Sequence, residues 1–275
     1  MGKIALVIAD TYQNKNLSIF ALDKSMAWNK ISQVYTLSDI HFYPGSTHIP
    51  MASMLTKDRI ESLKILLNIS QEKYYLFINW DSIVCSPAKW QDQFMAYDYI
   101  GTPLWIDENA YLPGSQNFSI FSRNLLMEFV TLFGSSHDGN WTNHEVYMHS
   151  NHFLKLGFNL AHHSKSKHFS YESGPILDQT FGVSGSANFP LFLNESELLP
   201  NANEFNSRQS NPSALLNYLK YSIETGKFEL FKTSVENLVN KPNLKKAIQF
   251  ELLMNPLSEL PKIIQSFNSG KNLYL

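Results

Sequence analysis

Four acidic residues stand where carboxylates do chemistry: Asp10, Asp39, Asp81 and Glu145. Asp81 lies in Asn79-Trp80-Asp81-Ser82, directly after the apolar run Tyr74-Tyr75-Leu76-Phe77-Ile78. Such a run reads as a strand buried on both faces, and open α/β sheets bind ligands at the carboxyl ends of their strands. Asp10 and Asp39 end two other apolar runs, and Glu145 opens a helical pattern. The residues alone leave two roles open for Asp81: a ligand-binding carboxylate, or a turn and cap for a helix that begins near Pro87. A phosphoanhydride bound there would need its charge neutralised. The chain has no Walker-type loop and no Gly-x-Gly-x-x-Gly, so a metal held by Asp81 is the expected device. Mg2+ or Mn2+, which prefer carboxylate oxygen, would suit, with Asn79 adding at most a carbonyl oxygen.

Other chemistries find less support. The single cysteine, Cys85, follows Ile83-Val84 and reads as a buried structural thiol. His149 and His152 are spaced to share a helix face, but no His-Glu-x-x-His accompanies them. Gly182-Val183-Ser184-Gly185 approaches a serine-nucleophile turn with the wrong spacing. The net charge of −2 gives no global field for nucleic acid, and Lys155, Lys165 and Lys167 with their histidines read as a solvated face. No stretch approaches the roughly 20 apolar residues that span a bilayer. The composition fits a reducing cytoplasm, with the inner membrane face as a place of peripheral attachment.

The elements that must position the carboxylates alternate. Strands are predicted at 4–9, 33–37, 74–78 and 97–103, with helices at 17–28, 57–67 and 87–95 between them. This order predicts an α/β domain with a mainly parallel sheet and right-handed crossovers. Residues 41–50 read as a loop around Pro44-Gly45, and 105–115 as a loop around Pro113-Gly114. A strand at 117–122 and helices at 123–133 and 143–156 follow, the last with Asn143 as N-cap and Gly157 as C-terminal cap. A short strand is expected at 158–161 and a glycine-punctuated loop at 181–186. After about Pro200 the pattern is helical: Asn211-Pro212 opens a helix that Gly226 closes, and further helices are expected at 227–240, 243–254 and 257–267. The division expected is a domain at 1–200 and a helical appendage at 201–275, which would pack on the first domain or on another subunit.

The order of four segments resembles the DUF5672 family of glycosyltransferase-like proteins, grouped with GT-A-type nucleotide-sugar transferases. Residues 75–84 look like the family's strand ending in Asp-Ser. Tyr97-Asp98-Tyr99-Ile100-Gly101-Thr102-Pro103 is similar to its Asp-Tyr-Ile-Gly-Ala-Pro segment. Residues 114–123 look like its glycine-rich loop, keeping Gly114 and Asn117 but placing Phe118 where a glycine is expected. His144-Glu145-Val146-Tyr147 stands at its Glu-Asp-Val-Phe segment. The resemblance covers about residues 1–190. It implies a GT-A-like, Rossmann-like mixed sheet flanked by helices, and transfer of a sugar from a nucleotide diphosphate sugar to a saccharide or glycoconjugate hydroxyl. Asp81 would bind metal and diphosphate, with Asp10, Thr11, Asp39, Asn79 and Ser82 around the donor. Gly114, Ser115, Gln116, Asn117 and His144 would line the sugar and acceptor cleft, and Glu145 would be the general base. Ser184 stands where related enzymes carry a metal-completing His. Two other readings go with these departures: a non-catalytic module that binds a glycan or partner through the tail, homodimer included, and a nucleotide-sugar hydrolase.

Overall fold

The computed structural model describes residues 3–107, 110–134, 145–174, 180–209, 211–238, 245–246, 249, 253–254 and 260–268. The chain divides into two compact units, Met1–Ser184 and Gly185–Leu275.

The first unit is built on a six-stranded mixed sheet. Its strands are β1 (Ile4–Ala9), β2 (Ile31–Ser38), β3 (Thr47–Pro50), β4 (Tyr74–Ile78), β6 (Tyr99–Asp107) and β7 (Ala110–Ser122), in the order β3-β2-β1-β4-β7-β6. β5 (Ser82–Val84) belongs to a second, small sheet described below. The first four strands in that order run parallel, and β7 and β6 are antiparallel. β4 thus sits in the interior, parallel to β1 and antiparallel to β7, and its apolar run ends at the strand edge where Asn79 begins.

Helix α1 (Asn16–Met26) follows β1, α2 (Thr56–Ile69) follows β3 and α3 (Arg123–Gly134) follows β7. α2 and α3 cover one face of the sheet. There Ile60, Leu63, Leu66, Leu125, Leu126, Phe129 and Phe133 pack with Val7, Leu37, Tyr75 and Phe121. A second aromatic cluster joins Phe94, Phe118, Phe169 and Phe181, all fully buried. Each such side chain contributes roughly 1.5–3 kcal/mol by leaving water.

Several elements differ from the sequence expectation. Residues 47–50, read as loop, form the edge strand β3, where Pro50 needs no ladder partner on its outer side. Of the loop expected at 105–115, residues 105–107 are strand in β6 and 110–115 strand in β7; 108–109 lie outside the described residues. Pro113 fits because it precedes the part of β7 that pairs with β4, which begins at Phe118 opposite Ile78. The helix expected at 87–95 is two 3-10 turns, Pro87–Lys89 and Asp92–Ala96. The chain turns between them at Trp90, whose ring packs against Trp28, Phe94 and Phe181.

The helix expected at 143–156 is divided into α4 (Glu145–Met148) and α5 (Ser150–Lys155) at His149, whose ring meets Phe133 edge-on. Asn143 lies outside the described residues. Gly157 takes the left-handed conformation, φ 87°, expected of the cap. The strand expected at 158–161 is reduced to one bridge, between Tyr99 and Leu160.

The segment read as a glycine-punctuated loop contributes a strand instead. α6 (His163–Phe169) leads into β8 (Ser170–Tyr171), and β9 (Gly182–Ser184) pairs with both β8 and β5. Gly182 is needed there because a Cβ would overlap the Phe118 ring. This small sheet carries the chain immediately after Asp81.

Among its described residues the second unit is helical, beginning at α7 (Phe189–Phe192) and α8 (Glu195–Leu198) and continuing through α9 (Ala202–Arg208). Asn211 caps α10 (Pro212–Glu224), accepting from the Ser213 amide at 2.9 Å, and Gly226, φ 71°, follows its end. α10 packs Leu215, Leu216 and Leu219 against Phe231 and Val235 of α11 (Phe228–Leu238) and Leu260 and Ile264 of α12 (Leu260–Asn268). Most of the helix expected at 243–254 lies outside the described residues. Among the described residues no helix is long and apolar enough to cross a membrane.

Candidate functional site

Two groups of predicted residues gather at the carboxyl ends of the strands. The first joins β1 to β2. Asp10 is buried; its carboxylate accepts from the Tyr12 amide at 2.7 Å and from the Ser18 hydroxyl of α1. Thr11, partly buried, lies between them. Lys15, only 5% exposed, bridges the strands: its ammonium donates to the Asp10 carbonyl at 2.8 Å and to Asp39 Oδ1 at 2.7 Å. The Lys15 ammonium holds the exposed Asp39 carboxyl below the usual carboxylate range.

The second group surrounds the end of β4. Asn79 donates its side-chain amide to Asn117 Oδ1 at 2.6 Å and its backbone N–H to the Asn117 carbonyl at 3.1 Å. The Asn79 carbonyl accepts from the Ser82 amide at 3.1 Å, so Trp80 and Asp81 form a tight turn between β4 and β5. Asp81 is half-buried. Ser82 is fully buried and donates to Ser184 Oγ across the β5–β9 pair at 3.4 Å.

A residue missed by sequence reasoning completes this group. Glu172 follows β8, one position beyond the Tyr171–Val183 pair, which places it beside Ser184. Its carboxyl hydrogen-bonds with Ser184 and Ser115 and lies within the field of the Asp81 charge. Burial, and then the charge of Asp81, push the Glu172 carboxyl up to about 7, against those two hydrogen bonds. Its Oε2 is shut off from solvent. The signal for Glu172 was an absence: residues 146–171 hold no acid, so it is the first carboxylate after Glu145.

Gln116 takes a different place from its neighbours Ser115 and Asn117. It lines a cavity of about 60 Å3 with Ala9, Leu37, Arg59, Phe77, Asn79 and residues of α2 and α3. Arg59 was also missed, since a charged residue in an amphipathic helix reads as surface. Burial lowers its guanidinium to about 10. Gly114 lies within β7, upstream of this cluster. Glu145, buried at the start of α4, lies 3.9 Å from His149. His144 lies outside the described residues. Asp98 ties the chain together, accepting from Ser122 at 2.7 Å and from the Asn159 amide at 2.9 Å. Burial pushes the Cys85 thiol up to about 11, as suits a structural thiol.

Asp81 and Glu172, close enough for the charge of one to raise the other, could each supply carboxylate oxygen to a hard cation. Among the described residues no three His, Cys, Asp or Glu side chains converge as a full ligand set. Mg2+ is commonly held by one or two carboxylates and completed by substrate phosphates. Asp81 and Glu172 fit that arrangement, and Ser184 stands beside it as a hydroxyl.

Residues 62–183 match the sequence profile of a family described as protein of unknown function (DUF5672). No curated protein matches the chain. Among solved structures, the bifunctional IspDF from Campylobacter jejuni aligns with a TM-score of 0.43 at 11% identity, over 63% of this chain and 50% of that one. This chain therefore spans half the length of that protein. The apo-form glycosyltransferase GlyE of Streptococcus pneumoniae TIGR4 aligns with a TM-score of 0.37 at 12% identity, over 59% and 46%. Residues 1–349 of S. aureus TarS align with a TM-score of 0.40 at 9% identity, over 99% and 93%.

Proposed function

We propose that the chain, whose residues 62–183 match the DUF5672 profile, is a glycosyltransferase of GT-A-like fold. It would move a sugar from a nucleotide diphosphate sugar to a saccharide or glycoconjugate hydroxyl. The observation that carries the proposal is the register of the small sheet, which sets Ser184 opposite Ser82 and Glu172 next to Ser184, beside the Asp81 turn at the end of β4. Asp81 and Glu172 would hold Mg2+ or Mn2+. Such an ion, when bound, offsets the charge of a departing diphosphate.

The other residues then have separate work. Asn79 and Asn117, locked to one another, fix the end of β4 against β7 and hold the Asp81 turn in place. Lys15 fastens Asp10 to Asp39, making a rigid rim for the nucleoside. Glu145 would take the proton from the acceptor hydroxyl as it attacks, the role of a positioned carboxylate base. Its seat is on α4, which packs against β7.

The test is a thermal-shift screen of UDP-, GDP-, CMP- and TDP-sugars with and without Mn2+. A donor that stabilises the protein only with Mn2+, and not the Asp81→Asn variant, is the expected result. Failure of every donor to shift the wild-type protein would count decisively against the proposal.

A further inference from the structure

Residues 154–168 hold three lysines and three histidines, no arginine and no carboxylate, in a chain whose net charge is −2. Leu154 and Leu156 are 52% and 53% exposed, on either side of the exposed Lys155. From there the chain follows the outer edge of the sheet. Leu160 bridges to Tyr99 of β6, the last strand in the sheet order, and the Ala161 amide donates to the Tyr99 carbonyl at 2.8 Å. Asp98, which meets this segment, is engaged within the fold, accepting from the Asn159 amide and from Ser122. α6 then starts beside the exposed His162, whose ring centre lies 3.9 Å from that of His163, and Lys165 is exposed on it. Burial, then His162 and Lys167, hold His163 below the usual imidazole range; burial, then Lys167 and Lys165, do the same to His168. Positive groups thus crowd one another on α6.

We propose that this edge of the first unit docks on an anionic lipid surface, with Leu154 and Leu156 entering the headgroup layer and Lys155 and Lys165 meeting lipid phosphates. The apolar and the cationic groups select this partner together. Each lysine near an anionic leaflet is drawn to it within a Debye length, and apolar side chains that enter the interface add their transfer from water. A soluble phosphate would use the lysines and leave the leucines in water. Protein interfaces are depleted in lysine and enriched in arginine and aromatic anchors. At a membrane surface a lysine stem covers apolar ground while its ammonium reaches the phosphates. The inference goes beyond the donor-site reading above and does not depend on it.

The experiment is co-sedimentation of the full chain with vesicles of phosphatidylcholine alone and with vesicles of equal parts phosphatidylcholine and phosphatidylglycerol. Wild type is compared with the pairs Leu154→Ser/Leu156→Ser and Lys155→Gln/Lys165→Gln. All four side chains are exposed, so both variants should melt with the wild type. The expected result is that wild type binds the mixed vesicles at least about tenfold more tightly than phosphatidylcholine, a difference that high salt removes. Each variant pair should weaken binding to the mixed vesicles by about tenfold or more. Glycerol 3-phosphate at the same phosphate concentration should displace nothing. Equal binding to the two vesicles, no binding to either, or binding indifferent to both variant pairs overturns the assignment. Displacement by glycerol 3-phosphate would assign the lysines to a soluble phosphoryl ligand and overturn it as well. So would retention on immobilised polyglutamate that needs both pairs of residues, without vesicle binding, since that marks an acidic protein partner.

Discussion

Replacing Glu172 by Gln removes a titration that the site makes unusual. The Glu172 carboxyl is moved from its ordinary 4.5 up to about 7, first by burial and then by Asp81. A raised carboxyl favours the protonated form in the folded protein. The stability that goes with the protonated form is therefore fully present below about pH 4.5 and is lost as pH rises through about 7. The difference between those values corresponds to about 3 kcal/mol at most. The metal-free wild-type protein should lose up to that amount, relative to Glu172→Gln, between pH 4.5 and 8. Urea denaturation of both proteins at pH 4.5, 6, 7 and 8, in the presence of a chelator, measures it. Asp81→Asn should recover a smaller part of the loss, because burial is the larger cause. Mn2+ added at pH 8 should stabilise wild type more than Glu172→Gln. Parallel pH profiles for wild type and Glu172→Gln would refute the claim that the Glu172 carboxyl is desolvated and under the charge of Asp81.

Three further outcomes are expected. Lys15→Met should destabilise the first unit by about 1–3 kcal/mol, since a buried side chain loses its bonds to the Asp10 carbonyl and Asp39; NMR titration should show the Asp39 carboxyl returning to the usual range, and an unmoved Asp39 would contradict the bridge. Gly182→Ala should cost roughly 1–3 kcal/mol by overpacking against Phe118, and adding Phe118→Leu should recover much of it in a double-mutant denaturation series. Cys85, its thiol pushed up to about 11 by burial, should react with a thiol reagent at pH 8 far more slowly in the native protein than in urea; equal rates would contradict its burial.

The parallel half of the sheet, its edge strand β3 apart, was legible because it is written in local apolar runs. The five residues of β4 and the six of β1 match their predicted bounds. The antiparallel half was legible only in part: strands were expected at 97–103 and 117–122, but the rest of β6 and β7 is defined by pairing. Pro113-Gly114 reads locally as a turn, yet β6 and β7 carry it into a ladder. β5 and β9 are three residues each and exist only through partners such as Ser82 and Ser184, far apart in sequence. Phe118, where a glycine was expected, looked like damage to a ligand loop. It is instead a core residue, given room by Gly182 on the facing strand. The site followed the same division. Asp10, Asp39, Asn79 and Asp81 end parallel strands, and their positions were readable from the pattern. Glu172 and Arg59 were not, because neither lies at the end of an apolar run; only the folding of the small sheet brings Glu172 to Asp81, and only the strand ends make a cavity beside Arg59.

The most direct test of the central claim is a crystal of the protein soaked with UDP and Mn2+ and examined for manganese anomalous scattering. The account predicts one strong peak between the Asp81 and Glu172 carboxylates, with diphosphate oxygens completing the ion's shell. Diphosphate and metal bound at another place, or no peak at saturating concentrations of both, would contradict it.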